Sequence, residues 1–240
     1  YLRADPEQLQ LKPIGYDQHA NETSERSAGR QVRLAIENIY SHKYILLMGI
    51  IYFSWGFSYL IFSTFLVDYL MTETQLSPTL AGQFFAIAGA ASIISGFIWG
   101  SLSDRIGRMW TLFIIYVGQA TLLVLFIVTT QPALLLLEIV LYSLTLWAVP
   151  TVIVAAVADI THIRKTPMAI GFITLFFGVG QWLSPMVSGW LIDLYGGYGL
   201  AFLVSAGICY AGSLGCLALH LKLSRLTKED VHVQQHLFSK

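Results

Sequence analysis

Three polar side chains share one face of an otherwise apolar segment, and one of them can carry a proton. Glu138, Tyr142 and Thr145 follow the i, i+4, i+7 spacing that places residues on the same side of a helix. An ionisable residue in a long apolar segment costs free energy unless it meets a partner or water, so it is a candidate for function. Glu138 is therefore the candidate for gaining and losing a proton, although its position soon after Pro132 also fits a solvated carboxylate at the segment end.

Aromatic, hydroxyl and amide side chains in the apolar segments could bind a small molecule. Aromatic faces offer stacking surface, and a few convergent polar groups fix the orientation of a bound molecule. The candidates for such a cavity are Ser54, Trp55, Ser58, Tyr59, Tyr142, Thr145, Trp147 and Gln181. The aromatic members could equally be packing residues. No segment interior contains Lys or Arg, so a carboxylate ligand would need its cation from elsewhere.

The chain lacks the residue spacings that metal, nucleophile and nucleotide chemistry require. It contains no His-Glu-x-x-His pair, no Gly-x-Ser-x-Gly elbow and no Walker-type phosphate loop. Cys209 and Cys216 would lie about 10 Å apart along a helix, which is too far for a disulfide. We therefore expect no enzyme activity, no metal, no cofactor and no nucleic-acid partner. Because no Walker-type loop is present, an ion gradient is favoured over ATP as the energy source for any transport by this chain.

Six long apolar segments must position these side chains. A helix needs ~20 mostly apolar residues to span a bilayer, and the segments at 43–68, 79–102, 108–130, 132–158, 167–192 and 199–221 meet that length. The chain is 55% hydrophobic and 12% charged, which is too apolar for a soluble domain. Long continuous runs favour helices over the ~10-residue alternating strands of a membrane barrel. The expected fold class is an all-α membrane protein.

The basic residues predict how these segments are oriented. All 14 Lys and Arg residues fall on the same side of the six segments, as expected when positively charged loops stay in the cytoplasm. We therefore predict a cytoplasmic linker at 1–42, a six-helix transmembrane domain at 43–221 and a cytoplasmic tail at 222–240. The predicted location is the cell membrane, either the plasma membrane or a bacterial inner membrane, with both termini inside.

The loop between the second and third segments has the most specific motif. Residues 100–108 read Gly-Ser-Leu-Ser-Asp-Arg-Ile-Gly-Arg, which resembles the signature loop of the major facilitator superfamily at every fixed position. Glycine permits a tight turn, and an aspartate can accept charge-assisted hydrogen bonds from arginines. The resemblance implies that a conformational gate is formed by Gly100, Asp104, Arg105, Gly107 and Arg108.

Two further stretches resemble the same family. Residues 5–7, Asp-Pro-Glu, with 12–15, Lys-Pro-Ile-Gly, resemble the start of the linker between two six-helix halves, and 178–185 resemble the fifth helix of a half. The resemblance implies that 43–221 form the second half of a secondary transporter, built as a 3+3 inverted repeat. Its expected partners are a small-molecule substrate, the lipid bilayer and the N-terminal half of the same transporter, which this chain lacks.

Two other functions stay open from the sequence. The chain could be a membrane sensor or receptor that binds a ligand without moving it, or a six-helix protein that pairs with itself. The substrate, the coupling ion and the direction of transport are not predicted, so symport and antiport remain equal alternatives.

Overall fold

The computed structural model describes residues 39–40, 42–161 and 163–238, with side chains described as far as Arg225. Most of the predicted linker, residues 1–38, lies outside them. The described residues form eight α-helices: α1 (Lys43–Thr72), α2 (Pro78–Ser92), α3 (Ser95–Ile106), α4 (Arg108–Val128), α5 (Pro132–Ser143), α6 (Ala148–Ile160), α7 (Thr166–Tyr195) and α8 (Gly199–Phe238).

These helices make six spans. α2 continues into α3, and α5 continues into α6. The described helical segments that are long and apolar enough to cross a membrane are therefore α1, Pro78–Ile106, α4, Pro132–Ile160, α7, and α8 as far as Arg225. This confirms the all-α fold class with six transmembrane helices. α8 runs without interruption from the sixth span into the predicted tail.

The signature motif is more helical than the sequence suggests. Its first seven residues form the end of α3, and Gly107 alone separates α3 from α4. Gly107 has φ 93°, a conformation that favours glycine. Its N–H donates to the Ser103 carbonyl at 3.1 Å, and its own carbonyl accepts from the Thr111 N–H at 3.0 Å. The turn therefore closes one helix and opens the next within a single residue.

Two spans are interrupted near their middle. The break between α2 and α3 lies at Ile93 and Ile94, and the break between α5 and α6 lies at residues 144–147. Pro150 accounts for the second break, because it has no N–H to bond to the carbonyl four residues earlier. There the chain instead forms hydrogen bonds between residues three positions apart, such as the Ala148 N–H to the Thr145 carbonyl at 3.2 Å.

The contact between α1 and α7 depends on glycines from both helices. A Cβ added at Gly56 would lie 2.6 Å from the carbonyl oxygen of Phe177, and one added at Gly180 would lie 2.9 Å from the Phe57 nitrogen. Small residues allow membrane helices to approach this closely. α1 is the most buried span, whereas α2–α3 and α7 are the least buried.

Candidate functional site

A charge network joins three helices at the inner end predicted for the bundle. The Arg108 guanidinium lies 2.5 Å from the Asp104 carboxylate, and its Nε donates to Asp159 at 3.1 Å. It also donates to the Ser103 hydroxyl at 2.5 Å. Asp104 and Ser103 lie near the end of α3, Arg108 begins α4 and Asp159 lies near the end of α6. One arginine therefore connects three helix ends.

The two ion pairs in this network differ in exposure. The Asp104 side chain is 62% exposed, whereas those of Arg108 and Asp159 are 24% and 29% exposed. Solvent screens exposed pairs, so the Arg108 to Asp159 pair contributes more. The sequence analysis did not assign Asp159 to this network. The signal that could have done so is that Asp159 is an acidic residue predicted to lie on the same side of the membrane as the motif. Arg105 is exposed and forms no ion pair with any described residue.

A stack of aromatic rings fills the contact between α1 and α7. Phe177 lies nearly parallel to Tyr52, Trp55 and Tyr59, with ring centroids 4.7, 5.3 and 6.2 Å away. The Gln181 amide, one turn after Phe177, donates to the Tyr59 hydroxyl at 2.5 Å. The structure thus brings together Trp55, Tyr59 and Gln181 from the sequence candidates. Tyr52 and Phe177 were not candidates, although each lies one helical turn from a residue that was.

Ser54 and Ser58 lie on another side of α1, behind the stack. The Ser58 hydroxyl donates to the Ser205 carbonyl on α8 at 2.7 Å, and the Ser54 hydroxyl donates to the Ile51 carbonyl at 2.7 Å. Both side chains are buried. The serines and the aromatic rings face different helices because Ser54 is 100° around α1 from Trp55. α8 therefore covers the serines, while α7 covers the aromatic rings. In this structure Ser58 therefore connects α1 to α8, Ser54 bonds within α1, and neither serine borders an open surface.

Tyr142 and Thr145 lie in the bundle core. The Tyr142 ring stacks on Phe62 of α1, with centroids 4.3 Å apart. The Thr145 hydroxyl donates to the Tyr142 carbonyl at 2.7 Å and accepts from the Gln119 amide of α4 at 3.1 Å. These two candidates are therefore buried inside the bundle.

Trp147 lies at an exposed position in the break between α5 and α6. Its side chain is 48% exposed. Its backbone N–H, which the break frees, donates to the Ser95 hydroxyl at 3.1 Å. In the same region the Trp99 indole N–H donates to the Leu144 carbonyl at 2.9 Å. Two side chains of α3 thus bond the break between α5 and α6, and Trp147 remains available at the surface of the bundle.

Glu138 is buried near the other end of the bundle. The Thr129 hydroxyl, directly after α4, donates to its Oε1 at 2.6 Å. Its Oε2 has no partner among the residues that the structure describes. The residue is 9% exposed, so within this bundle it is not the fully solvated carboxylate that the sequence left as an alternative.

At the predicted outer end, Tyr198 holds the turn between α7 and α8 against α1. Its hydroxyl donates to the Asp68 carboxylate, and its backbone N–H donates to Glu73 at 3.1 Å. Burial and the bond to Asp68 raise the pKa of Tyr198 to about 12. The hydroxyl therefore keeps its proton, and remains a donor, throughout the neutral pH range.

Comparison with known proteins places this arrangement in a family. The sequence model of the Major Facilitator Superfamily matches residues 39–236. The probable sulfoacetate transporter SauU of Cupriavidus necator is 26% identical over 227 residues, which cover 88% of this chain and 49% of that protein. The multidrug resistance protein MdtG of Proteus mirabilis is 27% identical over 198 residues, covering 82% and 49%. These names describe transport and drug resistance, not enzyme activity.

A solved structure agrees with the sequence matches. The peptide transporter POT, crystallised in complex with sulfate, superimposes with a TM-score of 0.66 at 20% identity, covering 81% of this chain and 41% of that one. At this identity the likeness shows a shared fold. The chain spans about half the length of the curated relatives it matches. Since the family match covers most of the chain, including the Arg108 network and the six spans, the chain belongs to the Major Facilitator Superfamily.

Proposed function

We propose that the chain forms one half of a secondary active transporter that works by alternating access, in which the Arg108 network holds one of two states. The observation that carries the proposal is that Arg108 contacts the ends of α3 and α6 at once. Charge-assisted bonds at one end of a bundle favour the state in which they form, and breaking them shifts the population to the other. Membrane-protein relatives from the same family support the transport role.

A second six-helix bundle is proposed as the partner of this half. α2, α3 and α7 bury few of their residues within this bundle. At Gly82 and Gly89 of α2 and Gly178 of α7, an added Cβ would have no described atom within 4 Å. Lipid places no demand for small residues, whereas contacts between membrane helices do. The relatives, about twice as long as this chain, have room for such a bundle.

The substrate surface is proposed to include Phe177, Gln181 and Trp147. These residues offer aromatic faces and one amide, and none is fully buried. Such a surface suits a small organic molecule held by stacking and hydrogen bonds. Because no interior of a span carries Lys or Arg, an anionic substrate would take its cation from the second bundle. Ser54, Ser58, Tyr142 and Thr145 would support this surface from behind.

Glu138 is proposed to carry a coupled proton, and uptake into proteoliposomes tests this. Glu138→Gln keeps the shape of the side chain and the oxygen that accepts from Thr129, but it can no longer gain or lose a proton. We expect the variant to lose accumulation driven by a proton gradient while it retains exchange of substrate across the membrane. The readout is the uptake of candidate substrates with and without a gradient.

Glu73→Gln is the control for this measurement, because Glu73 is an exposed acid at the same predicted end. It should accumulate substrate normally. Normal accumulation by Glu138→Gln would remove the proposed proton role. Ligand binding without flux in the unchanged protein would favour the sensor alternative.

The proposed orientation places the α1–α2 turn outside the cell and the α3–α4 turn inside. Thr79 and Ile106 are exposed in these two regions, while both native cysteines are buried. Single cysteines at Thr79 and at Ile106 should therefore react with an impermeant thiol reagent from opposite sides of the membrane. Labelling of intact cells and of inverted vesicles measures this. Reaction of both positions from one side would contradict the orientation, and with it the cytoplasmic location of both termini.

A further inference from the structure

An open groove lies between the end of α6 and the start of α7. Its lining among the described residues is mostly apolar and includes Thr161, Ile163, Pro167, Ile170 and Gly171. Its volume is about 760 Å³, within the range of pockets that hold a bound molecule. The Ile163 side chain is 80% exposed. The described part of the chain therefore leaves an apolar surface uncovered at this end of the bundle.

Lipid does not account for this surface. Ile163 belongs to the turn between α6 and α7, where Arg164 and Lys165 follow it directly. A turn with two cations lies at the level of the lipid head groups or in the cytoplasm, outside the hydrocarbon core. An apolar side chain at that level faces water, and a protein partner that covers it is favoured by the hydrophobic effect.

The segment that precedes α1 ends beside this groove. Ile39 is buried in the core of the bundle, and the Tyr40 ring meets the Phe172 ring edge to face, with centroids 5.1 Å apart. Phe172 directly follows Gly171, which lines the groove. The three residues before Ile39 span at most about 11 Å. Residues 32–38 are therefore tethered within reach of the groove, at a high effective concentration.

Residues 32–38 have a sequence pattern that suits an apolar groove. They read Val-Arg-Leu-Ala-Ile-Glu-Asn. Val32, Ile36 and Ile39 follow the i, i+4, i+7 spacing that places side chains on one helical face, which is the spacing of the anchors when a helix binds in a groove. Since Ile39 is already anchored in the core, a helix continued back from it would turn Ile36 toward the bundle.

We propose that residues 32–38 dock in the groove between α6 and α7 and cover Ile163. Ala158 lines this groove, whereas the next residue, Asp159, bonds to Arg108 on another side of α6. The docked segment therefore restrains the same helix end that the Arg108 network holds. The docking itself does not rest on the transport role proposed above, whereas its effect on alternating access does.

Limited proteolysis with trypsin tests the docking, with the protein in lipid nanodiscs that leave both faces accessible. Trypsin cleaves after Arg33, inside the segment, and after Arg26, which lies before it. Proteolysis follows the population of the open form. Relative to the same ratio in the unfolded protein, we expect cleavage after Arg33 to be roughly tenfold slower than cleavage after Arg26. Ile163→Ser should remove most of this protection.

Met168→Ser is the matched control, because Met168 is also exposed near the start of α7 but is not among the described residues that line the groove. It should leave Arg33 protected. Equal cleavage after Arg33 and Arg26 would overturn the docking. Protection that survives Ile163→Ser would overturn the groove as its site, and is the result expected if a second bundle covers Ile163. None of these outcomes depends on transport of a substrate.

Disulfide formation tests which face of the segment is docked. Gly171 is exposed, an added Cβ there would have no described atom within 4 Å, and both native cysteines are buried. Ile36→Cys combined with Gly171→Cys should form a disulfide on mild oxidation. Leu34→Cys combined with Gly171→Cys should do so roughly tenfold more slowly, because Leu34 lies about 200° around the helix from Ile36. Mass spectrometry of linked peptides measures both rates, and equal rates would overturn the docked face.

Discussion

Replacing Arg108 with alanine should reduce the rate of uptake roughly tenfold or more, because removal of one guanidinium eliminates bonds worth about 1–3 kcal/mol in one access state. The substitution leaves Asp159 partly buried without its cation and removes the bonds from α4 to Asp104 of α3 and Asp159 of α6. The helices themselves should still form, since Arg108 is the first residue of α4 and contributes nothing to its apolar face. Initial rates in proteoliposomes, normalised to folded protein, provide the measurement.

Arg105→Ala is the matched control. Arg105 belongs to the same motif and carries the same charge, but it is exposed and has no ion pair within the described part of the chain. Its replacement should change uptake little. Asp159→Asn should resemble Arg108→Ala, and Asp104→Asn should have a smaller effect because its carboxylate is well exposed. Equal losses from Arg105→Ala and Arg108→Ala would show that net charge matters here and not the network.

Gly180→Ala should destabilise the protein by about 1–3 kcal/mol or more, the cost of forcing an extra methyl group into a filled contact. The added Cβ would meet backbone atoms of α1, including the Phe57 nitrogen at 2.9 Å. A backbone cannot rotate away as a flexible side chain can, so α1 and α7 would have to separate. That separation would also disturb the ring stack between them. Thermal unfolding in detergent, followed by size-exclusion chromatography, measures the loss.

Gly189→Ala tests the same helix nine residues later, where an added Cβ would have no described atom within 4 Å. Alanine is a better helix former than glycine by up to about 1 kcal/mol, so this variant should be as stable as the original or more so. Similar losses of stability in the two variants would contradict the close contact of α1 with α7.

The six spans could be predicted because their signals are local. An apolar run long enough to cross a bilayer, and basic residues between alternate runs, are visible in the sequence itself. The motif around Arg108 was equally visible as a spacing of fixed residues. Its partner Asp159 was not, because it lies 51 positions away and meets Arg108 only when α6 packs beside α3 and α4.

For the cavity candidates, the sequence did not predict which neighbouring helix each side chain contacts. Trp55 and Ser54 are neighbours in the chain, and the sequence alone does not show which side of α1 faces another helix. The structure places Trp55 against Phe177 of α7, while Ser54 lies near Gly212 of α8. The same limit applies to Gly180, whose close contact with α1 joins positions far apart in the chain. Only the packing order of the helices determines these contacts.

The two broken spans have a mechanical consequence. α3 supplies two side chains that satisfy the second break: Ser95 accepts from the Trp147 N–H, and Trp99 donates to the Leu144 carbonyl. If α5 and α6 straightened into one helix, those backbone groups would be drawn into the helical ladder and both bonds to α3 would be lost. The break between α5 and α6 is therefore held open by α3, and we expect any straightening of α5–α6 to require a movement of α3.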